Sequence, residues 1–214
     1  MDYCESGDLR NYITKNFYSN WDVKLNILND IINGLVYIHG QNIIHRDFHS
    51  GNILFSVFYT VISDLGISKS LIESIDNDEE IYDIVPYVAL EILQRQKYIT
   101  ASDIYSFGMI MWELMTGRRL FWDQSHDTDL IINICDGLRP SIVTNAPDGY
   151  IGLMQQCWHS EPNLRPSATE IYNNVLKRII SNESKSKRMF KGNLDENHKT
   201  DKKNKLSENN NIGK

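Results

Sequence analysis

The chain has 214 residues, 41% hydrophobic and 23% charged, with a net charge of −6. That length suits one compact domain, or one large lobe with a tail, and the composition is not that of a chain disordered throughout. No run approaches the roughly 18 apolar residues of a membrane span, the acidic start Met1-Asp2-Tyr3-Cys4-Glu5 is no secretory signal, and three scattered cysteines, Cys4, Cys135 and Cys157, make neither a disulfide framework nor a zinc site.

In chain order, the first clear element spans residues 21–39. Ile27/Leu28, Ile31/Ile32 and Leu35/Val36 recur there at helical spacing and predict a helix with a broad buried face. Ser19 with Asp22 reads as an acidic capping box at its start, and Gly40-Gln41-Asn42 as its stop. Ile43-Ile44, Ile53-Leu54-Phe55 and Thr60-Val61-Ile62-Ser63 are β-like runs too short for helices. Residues 102–115 predict a helix with almost no polar face, hence a central buried one, although Ser106, Gly108 and Glu113 interrupt its apolar run. Residues 146–158 and 167–180 predict further amphipathic helices, the second opened by a full capping box, Ser167-Ala168-Thr169-Glu170, behind Pro166. The body is therefore mainly α, with no internal repeat.

Charge divides the chain. Residues 181–214 carry +4 and the rest −10. The tail has few large apolar residues and no periodicity, so it is expected to be a disordered, solvated segment. Its clusters Lys185-Ser186-Lys187-Arg188 and Lys202-Lys203 could serve as a nuclear address; the cytoplasm is the default expectation. An acidic body argues against general nucleic-acid binding, which needs a basic footprint.

The chemistry concentrates in His45-Arg46-Asp47-Phe48-His49-Ser50-Gly51-Asn52-Ile53-Leu54, followed by Ser63-Asp64-Leu65-Gly66. A loop between two short apolar runs presents Asp47 and Asn52 from one turn. A hairpin then returns the chain, so that Asp64 can sit beside Asn52. A carboxylate able to take a proton faces an amide and a second carboxylate, both hard oxygen ligands of the kind Mg²⁺ prefers and completes with water and substrate phosphate. Such an assembly suits phosphoryl transfer, where positioning and charge neutralisation carry most of the catalysis.

These motifs resemble the catalytic loop and the metal-binding motif of eukaryotic protein kinases. Tyr87-Val88-Ala89-Leu90-Glu91 resembles the end of the kinase activation segment. Ser102-Asp103-Ile104-Tyr105-Ser106-Phe107-Gly108 resembles the start of the central helix, and Cys157-Trp158 and Leu164-Arg165-Pro166 the late helices. The details look most like the tyrosine-kinase-like group of serine/threonine kinases, over residues 1–180. The resemblance implies the large, C-terminal lobe of a kinase, mainly α, with short β-hairpins carrying the catalytic and metal loops. It implies ATP with Mg²⁺ (or Mn²⁺) and a protein substrate. It makes Asp47 the acceptor of the substrate hydroxyl proton, Asn52 and Asp64 the metal ligands, and Arg46 the residue reaching toward a phosphorylated activation segment. Glu91 would pair with Arg165 in a buried ion pair, and Asp103 would bind the backbone of the catalytic loop. Met1, Asp2 and Cys4 would lie in the hinge that pairs with adenine, Leu54 under the adenine ring, and Asp8 near the ribose. Ser70, Ser74 and Tyr82 would be phosphosites, and the acidic run Asp76-Asn77-Asp78-Glu79-Glu80 could face Arg46 in place of a phosphate.

Three departures qualify this. The sequence starts at what looks like the position before the hinge, so the N-terminal β lobe, with its Gly-rich loop and Lys–Glu pair, is expected to be absent or supplied by other sequence. The chain alone is then expected to be inactive or trace-active. His49 stands where serine/threonine kinases usually carry a lysine, and Leu90 where the family has proline. Two alternatives follow: a non-catalytic pseudokinase or scaffold fragment, and a small-molecule kinase with an H-G-D-x-H-x-x-N loop. His49 fits that loop, but Arg46 and residues 89–91 and 102–108 fit it poorly.

Overall fold

The computed structural model describes residues 7–16, 19–55, 59–65, 84–125, 127–142, 146–177, 179 and 181. These form a mainly helical lobe with one two-stranded sheet. Among them no helix is long and apolar enough to cross a membrane.

Helix α1 (Leu9–Lys15) is short and is capped by Asp8, whose carboxylate accepts from the Asn11 N–H at 2.8 Å. The periodicity of its seven residues is too brief to stand out in the sequence. Helix α2 (Trp21–Gly40) has the expected buried face, with Leu25, Leu28, Ile31, Ile32 and Leu35 sealed from solvent. Each such side chain contributes about 1.5–3 kcal/mol of transfer free energy. Its cap is Asn20, which accepts from the Val23 N–H at 3.1 Å, and not Ser19. The Ser19 hydroxyl donates to the Asn16 carbonyl at 2.7 Å and is spent on the preceding turn. The helix ends in a Schellman motif. Asn42 takes the left-handed conformation (φ 57°), its N–H bonds the His39 carbonyl at 3.0 Å, and the Ile43 N–H bonds the Ile38 carbonyl at 3.2 Å. Ile43-Ile44 therefore forms no strand. It is extended chain leaving a helix cap.

Strands β1 (Ile53–Phe55) and β2 (Thr60–Ile62) pair antiparallel, with Ile53 opposite Ile62 and Phe55 opposite Thr60. Gly7 and Asp8 lie on the outer side of β1. The Phe55 N–H donates to the Gly7 carbonyl at 3.0 Å, and Asp8 bridges Leu54. Phe55 also stacks on Tyr12 of α1 at 4.5 Å. On the other side Ile62 reaches so near Gly34 of α2 that a Cβ there would lie 2.8 Å from it.

A single helical turn, α3 (Leu90–Leu93), precedes the central helix α4 (Thr100–Thr116). Every residue of α4 from Ser102 to Thr116 is buried. It ends at Gly117, left-handed at φ 69°, whose N–H closes on the Glu113 carbonyl at 2.7 Å. Helix α5 (Thr128–Cys135) was not apparent from the sequence; Asp127 caps it. Helix α6 (Tyr150–Cys157) starts four residues later than the periodicity predicts, because Gly149 turns left-handed (φ 85°) and resets the chain. It packs closely on α4: a Cβ at Gly108 would stand 2.9 Å from the Cys157 Cβ. Helix α7 (Ala168–Glu170) opens with the reciprocal Ser167/Glu170 capping box and continues as a π-helix, Ile171–Leu176.

Candidate active site

The loop from His45 to Asn52 is held from below by the first turn of α4. Asp103, 1% exposed, accepts from the backbone N–H of His45 (2.9 Å) and of Arg46 (3.0 Å). Its Oδ2 also accepts from His39 Nε2 of α2 at 2.9 Å. Arg46 is forced to φ 72°, a left-handed conformation that costs a non-glycine residue on the order of 1–3 kcal/mol and persists only where the surroundings over-determine it. Asp103 supplies that determination.

His45 is fully buried and stands edge-on to Phe48. Its Nε2 lies 2.8 Å from the Ser63 carbonyl, so Nε2 carries the hydrogen. Ser63 is also bound through its N–H and its hydroxyl to the Asn52 carbonyl, at 2.8 and 3.0 Å. Three bonds thus fix Ser63 against the loop, and the next residue, Asp64, follows from that anchor into a left-handed turn (φ 58°) with its side chain exposed.

Asn52 is buried, and its Nδ2 donates to the Asp47 carbonyl at 2.9 Å and to Asp47 Oδ2 at 3.0 Å. Both amide hydrogens are committed, which leaves Oδ1 as the atom that can face a cation. The other Asp47 oxygen lies 3.5 Å from His49 Nε2. His49 in turn caps the 3-10 turn Ser50–Asn52, its Nδ1 accepting from the Gly51 N–H at 3.0 Å, so the ring hydrogen sits on Nε2, toward Asp47. The interaction with His49 and the Asn52 amide hold the Asp47 carboxyl below the ordinary range, against the opposing effect of burial. Asp47 is therefore a carboxylate at neutral pH, hydrogen-bonded by Asn52 on one oxygen and faced by the His49 ring on the other.

The chain after the loop is tied down at two further points. Ser50 Oγ and Tyr87 Oη are 3.0 Å apart, and Ser106 of α4 donates to the Tyr87 carbonyl at 2.7 Å. Glu91 of α3 accepts both guanidinium nitrogens of Arg165, at 2.7 and 2.8 Å, and the Ser102 hydroxyl at 2.8 Å. Arg165 also donates to the carbonyls of His159 (2.8 Å), Ala101 (2.9 Å) and Ser160 (3.3 Å).

The structure thus brings Asp47, Asn52, His49 and the anchor of Asp64 to one place, and puts Asp103 and the Glu91–Arg165 pair beneath and beside it. Asp8 is engaged as the cap of α1, while its backbone adjoins Leu54, which is half-buried. Met1, Asp2 and Cys4 lie outside the described residues, as do Ser70, Ser74, Tyr82 and the acidic run 76–80. Ser50, Tyr87, Ser106, Glu113 and His39 went unassigned in the sequence. The available signal was the polar residues of α4: a serine or glutamate within a wholly buried helix must find a partner.

Among the described residues no three His, Cys, Asp or Glu side chains gather as a metal cage. A divalent ion here would rest on amide and carboxylate oxygen, completed by water and phosphate. The donor set, one asparagine oxygen and one exposed aspartate, suits Mg²⁺ in that mode.

A helical lobe with an Asp–Asn loop clamped to a central helix is the large lobe of a protein kinase catalytic domain. The protein tyrosine and serine/threonine kinase family model matches residues 1–175, and the chain belongs to that family. It is 34% identical over 194 residues to the probable serine/threonine-protein kinase roco8 of Dictyostelium discoideum, an alignment covering 84% of this chain and 10% of that protein. The chain thus spans about a tenth of the length of that curated relative.

Proposed function

We propose that this domain, residues 1–180, supplies the catalytic loop and metal ligands by which a protein kinase transfers the γ-phosphoryl group of Mg²⁺–ATP to serine or threonine hydroxyls of protein substrates in signalling, that the chain alone is inactive or trace-active, and that residues 181–214 form a polar basic tail. Its proposed location is the cytoplasm, with the nucleus as the alternative that the basic clusters allow. The observation that carries the reading is the Asp47–Asn52 contact at 3.0 Å, on a loop bonded to Ser63, the residue before Asp64. The resemblance to a probable serine/threonine kinase favours those hydroxyls over tyrosine.

In this reading Asp47 orients the attacking hydroxyl and takes its proton as the oxygen–phosphorus bond forms and the bond to ADP breaks. Because Asn52 and His49 hold the carboxylate from both sides, it enters the reaction already oriented. Asn52 Oδ1 and Asp64 would hold the Mg²⁺ that neutralises phosphate charge. A cavity lined by Asp47, Arg46, Phe48, Val88, Tyr98 and Asp103 offers mixed polar and apolar walls where a substrate side chain would lie.

The test is a thermal-shift titration with Mg²⁺–ATP followed by a phosphate-incorporation assay. Ligand at about a hundred times its Kd should raise stability by about 3 kcal/mol. Asp64→Ala should abolish that shift, and Asp47→Asn should keep it while removing whatever trace incorporation the unaltered chain gives. No shift in the unaltered chain, or one undiminished in Asp64→Ala, refutes the assignment.

A further inference from the structure

Lys24 stands on the buried face of α2 next to Leu25, and is only 8% exposed. A lysine is almost never so buried without a partner, because an ammonium taken out of water needs a counter-charge or hydrogen-bond acceptors. Among the described residues no carboxylate pairs with it, and the one group its ammonium meets is the ring of Trp21, 5.3 Å away. The side chain lines a small pocket with Tyr12, Ile13 and Asn16 of α1, with Ser19, and with Leu114 and Gly117 at the end of α4. The pocket is mostly apolar and opens to solvent, with about 200 Å³ of empty space. Its two small polar side chains are turned elsewhere: Asn16 Nδ2 donates to the Tyr12 carbonyl at 3.0 Å, and Ser19 Oγ to the Asn16 carbonyl at 2.7 Å.

We propose that Lys24 is an acyl-acceptor site: its amine, set in an apolar pocket without a counter-charge, takes an acyl group from a thioester and becomes an amide. Desolvation disfavours the charged form of a buried lysine, and a lysine desolvated in this way is a nucleophile. The groups facing Lys24 do little to restore the charge. From α1 the one titratable side chain in the pocket is Tyr12, and Leu114 and Gly117 bring none from α4. On α2 itself Asp22 is exposed, and the Trp21 ring offers the ammonium only a cation–π contact. Burial accordingly draws the amine below the usual lysine value. In the reaction the amine lone pair bonds to the acyl carbon, the carbon–sulfur bond breaks, the nitrogen loses a proton to solvent, and sulfur leaves as thiolate. The product carries no charge, so the pocket holds it at lower desolvation cost than the ammonium it replaces.

The proposal does not rest on phosphoryl transfer, and its test involves none. The whole chain is incubated with S-acetyl-N-acetylcysteamine, a small thioester, at several pH values between about 6.5 and 9, and acetylation of each lysine is read by peptide mass spectrometry. Lys97, which is exposed, is the reference within the same molecule, so the decay of the thioester divides out. The ratio of Lys24 to Lys97 acetylation should be highest at the acid end and fall severalfold toward the alkaline end, as the exposed amine catches up. In concentrated urea, which opens the pocket, the ratio should no longer change with pH. Ser19→Asp sets a carboxylate in the same pocket, where an ion pair would hold the ammonium, and the fall should flatten. No acetyl group on Lys24, or a ratio that is level or rises with pH in the unaltered chain, overturns the proposal; so does an undiminished fall in urea or in Ser19→Asp. Should Ser19→Asp not fold, the unaltered chain with and without urea decides the matter by itself.

Discussion

Arg165→Ala is the most demanding test of how this lobe is held together. The guanidinium makes two bonds to Glu91 and three to backbone carbonyls, at 2.7–3.3 Å, with both side chains almost fully buried. Alanine removes all five at once and strands the Glu91 carboxylate with the Ser102 hydroxyl as its remaining side-chain donor. Removing one partner of a buried pair costs about 3–5 kcal/mol, because the other charge stays behind without compensation. For a domain of this size each kcal/mol moves Tm by about 2–4 °C, so a fall of about 6–20 °C is expected. Arg165→Lys should recover little, since one ammonium cannot span both carboxylate oxygens and reach three carbonyls. The deficit should also depend on pH. Burial pushes the Glu91 carboxyl up, but the Arg165 hydrogen bonds, its backbone contact, the Arg165 charge and Ser102 together hold it below its usual value. A carboxyl depressed in the folded state adds stability above its ordinary range and loses it as pH falls through the depressed value. The gap between the unaltered chain and Arg165→Ala should therefore be full at neutral pH and shrink in acid. Urea denaturation at several pH values reads both effects. A loss under about 1 kcal/mol at neutral pH, typical of an exposed pair, would refute the reasoning.

Two further substitutions probe close approaches. Gly108→Ala puts a Cβ 2.9 Å from the Cys157 Cβ and 3.2 Å from the Met154 carbonyl oxygen; overpacking of about 1–3 kcal/mol should outweigh the gain in helix propensity, and a neutral or stabilised variant in urea denaturation would refute the α4–α6 packing. Gly51→Ala puts a Cβ 2.9 Å from the His49 ring, which must swing away from Asp47; a carbon-13 titration should then show the Asp47 carboxyl moving up toward its usual value, and an unchanged titration would mean that His49 does not hold it.

What could be read from the sequence follows from how local each signal is. Helix α2 and the Ser167/Glu170 capping box announce themselves within a few residues, because period and cap chemistry are local properties. That one turn would present Asp47 and Asn52 together was legible from their spacing, and their contact at 3.0 Å agrees. Helices α1 and α5 were not, since seven or eight residues hold barely two turns of pattern. Ile43-Ile44 has strand composition, but strand formation depends on a partner, and the helix cap before it takes the Ile43 N–H. Asp8 shows the same limit. Its type fits a ribose contact, and only the coordinates reveal that its carboxylate caps α1.

The least legible feature lies within α4, whose apolar run conceals a purpose for several of its polar residues. Ser102 binds Glu91, Asp103 the loop backbone, and Ser106 the Tyr87 carbonyl. A polar group in such a helix is costly unless satisfied, and Ser102, Asp103 and Ser106 are each satisfied by a segment of the site. The loops add apolar contacts of their own, Phe48 and Tyr87 being part of the buried core, but Arg46 sits in a conformation it would not choose alone. Their geometry is therefore inherited from the helix, the element least able to move because it is buried from Ser102 to Thr116. Asp47 and Asn52 hold each other on that loop, and the backbone that carries them is tied in turn to Asp103 of the core.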